Sequence, residues 1–358
     1  MYIYIHIPFC TNICSYCDFP KLLYDKKYTR KYLEMLASEI DSRYSNEEVV
    51  SIYIGGGTPT SLDLSELEYL LRLTTKFKKN NNIEFTIESN IESLDEDKIK
   101  LLKDYGVNRI SLGVQSFNDK TLEELNRRHR KNDIKRVVKL LKNNNFYNIS
   151  VDYIYGVHDD LEEVKEDIEE YLELDIPHIS CYSLIIENNT VFGIKKRNYI
   201  DETHEEEMYR YIEYALTSNG YGHYEISNYG KDGYKSLHNL NYWNNGYYYG
   251  FGMGAVSYLD NKRIINTLNL SKYLDGEFIN NIEAETRETE ISNTFMLGFR
   301  KIDGINVGEF EKRFGFSPLD MDIVKRLIDE EKLILDGDQL FINQKYIYLS
   351  NSIIMEFI

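Results

Sequence analysis

Short runs of β-branched and aromatic residues alternate with longer stretches of helical periodicity through the first half of the chain. In the helical stretches apolar residues recur at intervals of three or four, as at Leu67, Leu70 and Leu71. Because parallel strands need helical crossovers, this alternation predicts a parallel sheet. The predicted strands are Tyr2–Ile7, Ser51–Ile54, Ile83–Glu88, Arg109–Gly113, Ile149–Ile154 and His178–Ser183.

The strand–helix alternation fades after Ser183, two units short of the eight that close a complete barrel. We therefore predict an α/β fold built on a partial (β/α)6 barrel. Asp63, Asp95 and Asp159 stand where N-caps of the predicted helices are expected. Gly106 stands where the helix before it should end in the left-handed conformation.

The remainder of the chain has a different pattern. A stretch dense in Tyr, Asn and Gly predicts an α+β extension, and two amphipathic helices follow it. Asp336-Gly337-Asp338 then separates two short strand-like runs, which is typical of a hairpin. Two helices and a hairpin together predict a small C-terminal winged-helix-like cap. The predicted boundaries are 1–185 for the barrel, 186–288 for the extension and 289–358 for the cap.

Composition narrows the classes of function. The chain has 42 basic and 59 acidic side chains, giving a net charge of -17. Such a surface repels phosphate backbones, so no nucleic acid partner is expected. The first residues lack the pattern of a signal peptide, and no apolar run reaches the roughly 20 residues of a membrane span. We therefore expect the protein to be cytoplasmic.

The cysteines indicate a metal site. Three of the four lie in Cys10-Thr-Asn-Ile-Cys14-Ser-Tyr-Cys17, directly after the first strand. Most [4Fe–4S] clusters take four cysteine ligands, so three thiolates would leave one iron without a protein ligand. That iron could bind the amino and carboxylate groups of S-adenosylmethionine. The alternative is a zinc site completed by His6, although zinc motifs usually draw cysteine pairs from two separate places.

Other groups are predicted to lie at the same edge as the cysteines. Gly55–Thr60 is a glycine-rich turn that lets backbone approach a ligand closely. Later strands end near polar residues, and the carboxyl ends of barrel strands form the active-site face. These residues are Glu88, Gln115, Asp152 and Ser183. Cys181 stands apart from the motif and is interpreted as a buried apolar cysteine.

These motifs resemble the radical SAM superfamily, and within it the branch of oxygen-independent coproporphyrinogen III oxidases and HemW heme chaperones. The resemblance covers nearly the whole chain, including His6–Cys10, Gly113–Gln115, Asn126-Arg127 and Asp152–Gly156. It implies a [4Fe–4S] cluster on Cys10, Cys14 and Cys17. It also implies contacts to S-adenosylmethionine from Tyr4, Tyr16, Gly56, Gly57, Thr58, Glu88, Gln115, Arg127 and Asp152.

Two features favour the chaperone over the oxidase. Coproporphyrinogen oxidases typically continue with a fourth cysteine where this chain has Phe19, and they carry an extension before the cluster motif. His238-Asn-Leu-Asn-Tyr-Trp243 matches an H-N-x-x-Y-W signature associated with the chaperones, and the glycine-rich Gly250–Gly254 follows it. The alternative is oxidative decarboxylation of coproporphyrinogen III, and other radical chemistry is a more distant one. Whether the chain is an enzyme therefore stays open.

The chaperone interpretation implies heme as ligand and a recipient hemoprotein as partner. The rings of Tyr242, Trp243 and Tyr247–Tyr249 could stack on a porphyrin in the 186–288 region. His238 could ligate heme iron; alternatively it only hydrogen-bonds its own loop and the tyrosines pack the core. The identity of the recipient, peripheral contact with membrane-bound recipients and the oligomeric state stay open.

Overall fold

The computed structural model describes residues 1–358, and it confirms all six predicted strands and the α/β fold. β-branched and aromatic residues dominate these strands, as expected for a pleated, buried surface. In chain order the strands are β1 (Tyr2–Ile7), β2 (Phe9–Cys10), β3 (Leu22–Leu23), β4 (Glu48–Gly56), β5 (Lys78–Asn90), β6 (Arg109–Gln115), β7 (Ile149–Tyr155), β8 (His178–Ser183), β9 (Gly222–Glu225), β10 (Asn228–Gly230), β11 (Tyr248–Phe251), β12 (Val256–Leu259), β13 (Lys262–Asn266), β14 (Ile279–Ala284), β15 (Ile305–Asn306), β16 (Leu333–Asp336) and β17 (Gln339–Ile342).

The helices, in chain order, are α1 (Lys26–Arg43), α2 (Leu64–Leu73), α3 (Glu96–Asp104), α4 (Asp119–Glu124), α5 (Lys131–Asn143), α6 (Leu161–Glu173), α7 (Val191–Ile194), α8 (Glu202–Ser218), α9 (Leu237–Trp243), α10 (Leu270–Leu274), α11 (Arg287–Gly298), α12 (Val307–Phe314), α13 (Asp322–Asp329) and α14 (Ser350–Ile354). Helices α1 to α6 connect the parallel strands β1 to β8, and the other helices follow β8. None of the helices combines the length and apolar character needed to cross a lipid bilayer.

The central sheet has twelve strands in the order β14-β13-β12-β11-β1-β4-β5-β6-β7-β8-β10-β9. Its middle is parallel, from β11 through β1 and β4 to β8. Strands from the extension therefore flank the six-unit core on both sides. Because parallel strands align their carboxyl ends, the loops after β1 and β4 to β8 meet along one edge of the sheet.

Local capping explains where the helices begin and end. Asp63 accepts a hydrogen bond from the backbone N–H of Glu66 and starts α2, and Asp95 starts α3 in the same way. Gly106 follows α3 with a φ of 82°, as predicted. The prediction of Asp159 as an N-cap was wrong by one position. Asp160 caps α6, because the Asp159 carboxylate is paired with Nδ1 of His204 at 2.7 Å.

The predicted winged-helix-like elements are present at the C-terminus. Helices α12 and α13 are followed by the β16–β17 hairpin, and β15 joins it as a third strand. One cluster of 71 buried residues runs from Ile3 in β1 to Phe357 beyond α14, so sheet, extension and cap share a single apolar core. The boundaries at residues 185 and 288 stay predictions.

Candidate functional site

The three-cysteine loop leaves β1 and is held to the neighbouring strand by backbone hydrogen bonds. The N–H of Gly57 donates to the carbonyl of Ile7 at 2.9 Å, and the N–H of Thr58 donates to the carbonyl of Phe9 at 2.8 Å. The far end of the loop returns as β3, which pairs with β2 through Cys10 and Leu23. The glycine-rich turn and the cysteine loop therefore form one rigid corner.

A second anchor comes from the Asn126-Arg127 motif, which is distant in sequence. The side-chain amide of Asn126 donates to the carbonyl of Ile13 at 2.7 Å, and the N–H of Ser15 donates to the carbonyl of Leu125 at 3.1 Å. The guanidinium of Arg127 donates to Sγ of Cys14 at 3.3 Å and to the side chain of Asn90 at 2.8 Å. This motif therefore positions the middle of the cysteine loop.

A cavity of about 600 Å³ opens at the carboxyl edge of the sheet, beside the cysteines. It brings together all three cysteines and eight of the nine residues that the resemblance implies for S-adenosylmethionine. Those eight are Tyr16, Gly56, Gly57, Thr58, Glu88, Gln115, Arg127 and Asp152. Tyr4 does not line it; its hydroxyl hydrogen-bonds Nδ1 of His6 at 2.9 Å. Ser183, the predicted end of β8, also lies in the wall.

The glycines in the wall are required by close contacts. A Cβ atom at Gly57 would lie 2.7 Å from the carbonyl carbon of Pro8 and 2.9 Å from Sγ of Cys10. Gly56 has a φ of 117°, a conformation that side chains disfavour. Its N–H donates to Glu88 at 3.0 Å, and the Tyr53 hydroxyl donates to the same carboxylate at 2.8 Å. The turn is thereby fixed to the end of β5.

A β-bulge aims another side chain at the cavity. The register between β6 and β7 shifts between Gly113 and Gln115, and Gln115 has a φ of 74°. A bulge with a positive φ redirects the side chain of its residue and terminates regular pairing. This conformation explains how Gln115 reaches the cavity at the last position of β6.

Two carboxyl groups of the cavity wall, which also holds Arg127 and Lys21, have raised pKa values. Desolvation, reinforced by the nearby Asp152, raises the pKa of Glu88 to about 7. Desolvation also raises the pKa of Asp152 to about 6, although Ser111 donates a hydrogen bond to it at 3.3 Å. Two carboxylates that repel each other in a poorly hydrated cavity favour a cationic ligand. The sulfonium and ammonium of S-adenosylmethionine fit this requirement.

The donor set also fits an iron–sulfur cluster with one open site. Cys10, Cys14 and Cys17 are free thiols on one loop facing one cavity, and burial raises the pKa of Cys10 to about 11. The fourth cysteine, Cys181, is buried at the end of β8 and faces a different cavity. Both ring nitrogens of His6 are engaged, Nδ1 with Tyr4 and Nε2 with the carbonyl of Pro20. His6 is therefore not poised as the fourth ligand of a zinc site.

Sequence reasoning did not identify several residues of this cavity. Asn90 donates from its amide to Oγ1 of Thr58 at 2.9 Å and accepts from Arg127, so it links three of the motifs. Tyr53 holds Glu88, and Tyr182 forms part of the wall. Asn90 and Tyr182 sit one or two positions from predicted strand ends, which is the signal that could have found them.

A second cavity, of about 920 Å³, adjoins the first. Tyr242 and Trp243 from α9 line it, as do Cys181 from β8 and Leu349 from the cap. The two cavities share Phe19, Tyr182, Ser183 and Ile185 in their walls. The larger one is therefore assembled from barrel, extension and cap together.

The structure divides the aromatic run predicted to stack on a porphyrin. Tyr242 and Trp243 face the larger cavity, whereas Tyr249 is buried in β11 and stacks on Phe251 with a centroid distance of 5.5 Å. The glycines that follow also face protein. A Cβ atom at Gly252 would lie 2.4 Å from the carbonyl oxygen of His6. Gly252 therefore lets the chain after β11 pack closely beside β1, whereas Gly250 faces the backbone of Val256 in β12.

His238 is buried behind the wall of the larger cavity. Its Nδ1 hydrogen-bonds Ser51 at 2.9 Å and its Nε2 hydrogen-bonds the Tyr242 hydroxyl at 2.9 Å. Burial lowers the pKa of His238 to about 3, so the ring is neutral. Ligation of heme iron would require one of these bonds to break. This placement favours the alternative, in which His238 hydrogen-bonds within the fold.

Comparison with known proteins identifies the family. The family model described as Radical SAM superfamily matches residues 4–172. The heme chaperone HemW of Lactococcus lactis is 39% identical to this chain, over 99% of the chain and 96% of the relative. The chain belongs to the HemW family of radical SAM proteins. HemW of Bacillus subtilis is 36% identical, covering 88% of the chain and 87% of the relative, and HemW of Escherichia coli is 33% identical, covering 92% and 89%.

A solved structure shows that the HemW fold is similar to the fold of an oxidase. Coproporphyrinogen III oxidase from Escherichia coli superposes with a TM-score of 0.87 at 21% identity, covering 99% of this chain and 89% of that one. The likeness spans the sheet, the extension and the cap, so it confirms the radical SAM fold predicted from the motifs. At this level of identity it shows the fold alone.

Proposed function

We propose that the chain is a heme chaperone that carries a [4Fe–4S] cluster, binds S-adenosylmethionine and heme, and delivers heme to a recipient hemoprotein. The proposal is supported by relatives named heme chaperone HemW that match almost the full length of the chain. The observation that carries it is a cysteine-lined cavity adjoining a larger apolar one. Such an arrangement can bind a cofactor and a cargo side by side.

In this proposal Cys10, Cys14 and Cys17 hold the cluster. When bound, a cluster of this kind supplies a low-potential electron that can cleave the sulfonium of S-adenosylmethionine. Arg127 donates a hydrogen bond to Sγ of Cys14 and so places a positive charge beside the thiolates that would hold the cluster. Asn126 and the Ile7–Gly57 backbone bond keep the loop in place, so the three cysteines that would hold the cluster stay in the wall of the cavity.

S-adenosylmethionine would occupy the smaller cavity. Glu88 and Asp152 offer carboxylates to its cationic groups, and Gln115 offers an amide at the neighbouring strand end. Gly56 and Gly57 let the ligand approach the backbone, and Tyr16 covers the cavity from the cysteine loop. These roles follow the resemblance, apart from that of Tyr4, which the structure places outside the wall.

The competing function is oxidative decarboxylation of coproporphyrinogen III. The fold is shared with an oxidase of that specificity, so the fold does not separate the two functions. Position 19 separates the two functions, because Phe19 stands where the oxidases carry a cysteine. Its side chain is 68% exposed and lies in the wall common to both cavities. A hydrophobic ring there favours binding of a flat apolar ligand.

A hemin titration of the anaerobically reconstituted protein tests the proposal. We expect a saturable Soret band at one heme per chain and transfer of that heme to an apo-hemoprotein. A parallel incubation with coproporphyrinogen III and a reductant should yield no protoporphyrinogen. Absence of saturable binding, or appearance of the decarboxylated product, would reject the chaperone function.

The recipient is expected to be a hemoprotein encountered in the cytoplasm. The acidic surface, with a net charge of -17, agrees with the expectation that nucleic acid is not a partner. Measuring heme transfer to recipients in detergent or in vesicles would decide whether membrane-bound proteins also receive heme. Light scattering of the reconstituted protein would give its oligomeric state.

A further inference from the structure

The larger cavity has the size and setting of a ligand site. Its volume of about 920 Å³ is near the upper end of the roughly 300–1,000 Å³ range for small-molecule pockets. It lies where the end of β8, helices α8 and α9, the turn between β9 and β10, and cap residues 347–352 meet. Sites where several parts of a fold meet are common locations for ligands.

Its mouth is unusually apolar for a solvent-exposed surface. Large hydrophobic side chains that water reaches gather there, with exposed fractions of 68% for Phe19, 62% for Ile185 and 46% for Leu349. Tyr182 and Tyr199 add two exposed aromatic rings. Contiguous exposed apolar groups on a monomer mark a binding surface. Aromatic and aliphatic side chains facing one opening fit a flat, apolar molecule.

One cation lies among these groups. The guanidinium of Arg300 lies over the ring of Trp243 at 4.8 Å, and its Nε is buried without a hydrogen-bond partner. The other charged side chains in the wall are acidic, namely Glu202, Glu205 and Glu225. Arg300, whose charge also acts on the nearby Glu225, is therefore the only group in the wall that attracts an anionic group entering this cavity. The ligand expected here is apolar over most of its surface and carries a carboxylate at one edge.

We propose that heme binds in this cavity, with a propionate paired to Arg300 and its apolar face against Phe19, Ile185 and Leu349. This inference rests on the proposed function and specifies its binding site. It places heme across the wall shared with the cysteine-lined cavity and includes the cap in the site. The cavity does not include His238, which is hydrogen-bonded on both ring nitrogens.

The apolar contact is tested by a matched pair of variants of the full-length, cluster-reconstituted protein. Leu349→Glu places a carboxylate at the mouth, whereas Leu335→Glu makes the same change on β16 at a similar exposure, 42% against 46%. In hemin titrations followed by the Soret band, we expect a loss of affinity of about tenfold or more for Leu349→Glu. Leu335→Glu should bind hemin like the unmodified protein.

The outcomes separate the site from the function. If the unmodified protein binds no hemin, the proposed function fails. If it binds hemin and the two variants do so equally well, the function stands and this site is wrong. Thermal unfolding of both variants checks that the cap is folded. If the cap unfolds only in Leu349→Glu, the test uses Ile185→Ser instead, which is a milder change at an exposed residue. This variant should weaken hemin binding several-fold if the site is correct.

The propionate contact is tested by changing the ligand as well as the protein. Arg300→Gln should weaken binding of hemin about tenfold, because a charge-assisted pair with a carboxylate is lost. Iron protoporphyrin with both propionates esterified has no carboxylate, so the variant and the unmodified protein should bind it equally. An equal loss with both ligands, or no loss with hemin, would overturn the role of Arg300.

Discussion

The two cavities differ in what forms their walls. The smaller one is formed by strand ends and glycine backbone, and hydrogen bonds fix groups in its wall, as Gly56 and Tyr53 fix Glu88. The larger one is formed by segments that are far apart in the chain, and exposed side chains such as Phe19 and Leu349 lie in its wall. The first suits a cofactor that must be held in one orientation. The second suits a cargo that must enter and leave.

This difference implies that substitutions should act separately on the two cavities. Changes at the cysteine loop or glycine turn should affect the cluster and the stability of the fold. Changes at the mouth of the larger cavity should affect heme affinity alone. Phe19, Tyr182, Ser183 and Ile185 contribute to both walls and are the expected exceptions.

The largest effect is expected at the cysteine ligands. Replacement of any one of Cys10, Cys14 or Cys17 by alanine should abolish the iron–sulfur absorbance after anaerobic reconstitution, because two thiolates from one loop cannot retain the cluster. Cys181→Ala is the matched control, since this cysteine faces the other cavity. The distinction between the cavities would be wrong if the cluster absorbance survived replacement of a motif cysteine. It would also be wrong if Cys181→Ala abolished that absorbance.

Gly57→Ala should be a strongly destabilising methyl addition in the smaller cavity. The new Cβ would lie 2.7 Å from the Pro8 carbonyl carbon, and backbone atoms there cannot move aside. We expect the free energy of unfolding to fall by about 3 kcal/mol, at the upper end for overpacking. Gly308→Ala in α12, where the nearest atom is 3.4 Å away, should be neutral or slightly stabilising. Equal unfolding curves for the two variants would contradict the model of a rigid corner.

The acidic pair predicts a pH dependence in the cofactor-free protein. The pKa of Glu88 is about 7 in the folded chain against an ordinary value of 4.5. Between these values the folded state keeps a proton that the unfolded state has released, so stability falls as pH rises. Between about pH 4.5 and 7 this carboxyl group should lower the free energy of unfolding by on the order of 2 kcal/mol, and Glu88→Gln should abolish that decrease. Urea unfolding across this range measures it.

The exposed Glu68→Gln in α2 is the control for this titration, and it should leave the slope of stability against pH unchanged. If Glu88→Gln also leaves the slope unchanged, the carboxyl group of Glu88 is already hydrated. The argument for a cationic ligand in the smaller cavity would then lose its basis.

The smallest effect is expected at His238. His238→Gln should cost about 1 kcal/mol of stability, because glutamine keeps one of the two hydrogen bonds to Ser51 and Tyr242. The Soret band should not change, since His238 is behind both walls. His204→Gln, on the exposed surface of α8, is the control. A shifted or weakened Soret band in a folded His238→Gln protein would instead make this histidine a heme ligand.

Sequence reasoning succeeded where function depends on neighbours along the chain. The six parallel strands, the cysteine loop and the glycine turn are short-range patterns, and the parallel topology then required their carboxyl ends to meet. Sequence reasoning failed for Tyr249, where strand pairing decided the outcome. The pairing of β11 with β1 is non-local, so no pattern near residue 250 could reveal that this ring faces protein.

The larger cavity was out of reach for the same reason. Arg300 and Leu349 belong to no motif, and they meet Tyr182 and Trp243 only after the cap folds against the extension. The sequence singled out Tyr242 and Trp243, which line this cavity. It had no means of distinguishing these rings from Tyr247–Tyr249, because alternate burial in a strand depends on register with a partner.

The pairing of β1 with β11 also has a consequence for synthesis. Tyr2 emerges from the ribosome first, yet its partner on one side is Tyr248. At about 5–20 residues per second, the intervening chain takes on the order of tens of seconds to be made. Through that interval the strand leading into the cysteine loop has an open edge, and the loop lacks the segment that later packs beneath it. The unpaired edge of β1 is thus exposed to wrong pairing until the second half of the chain is made.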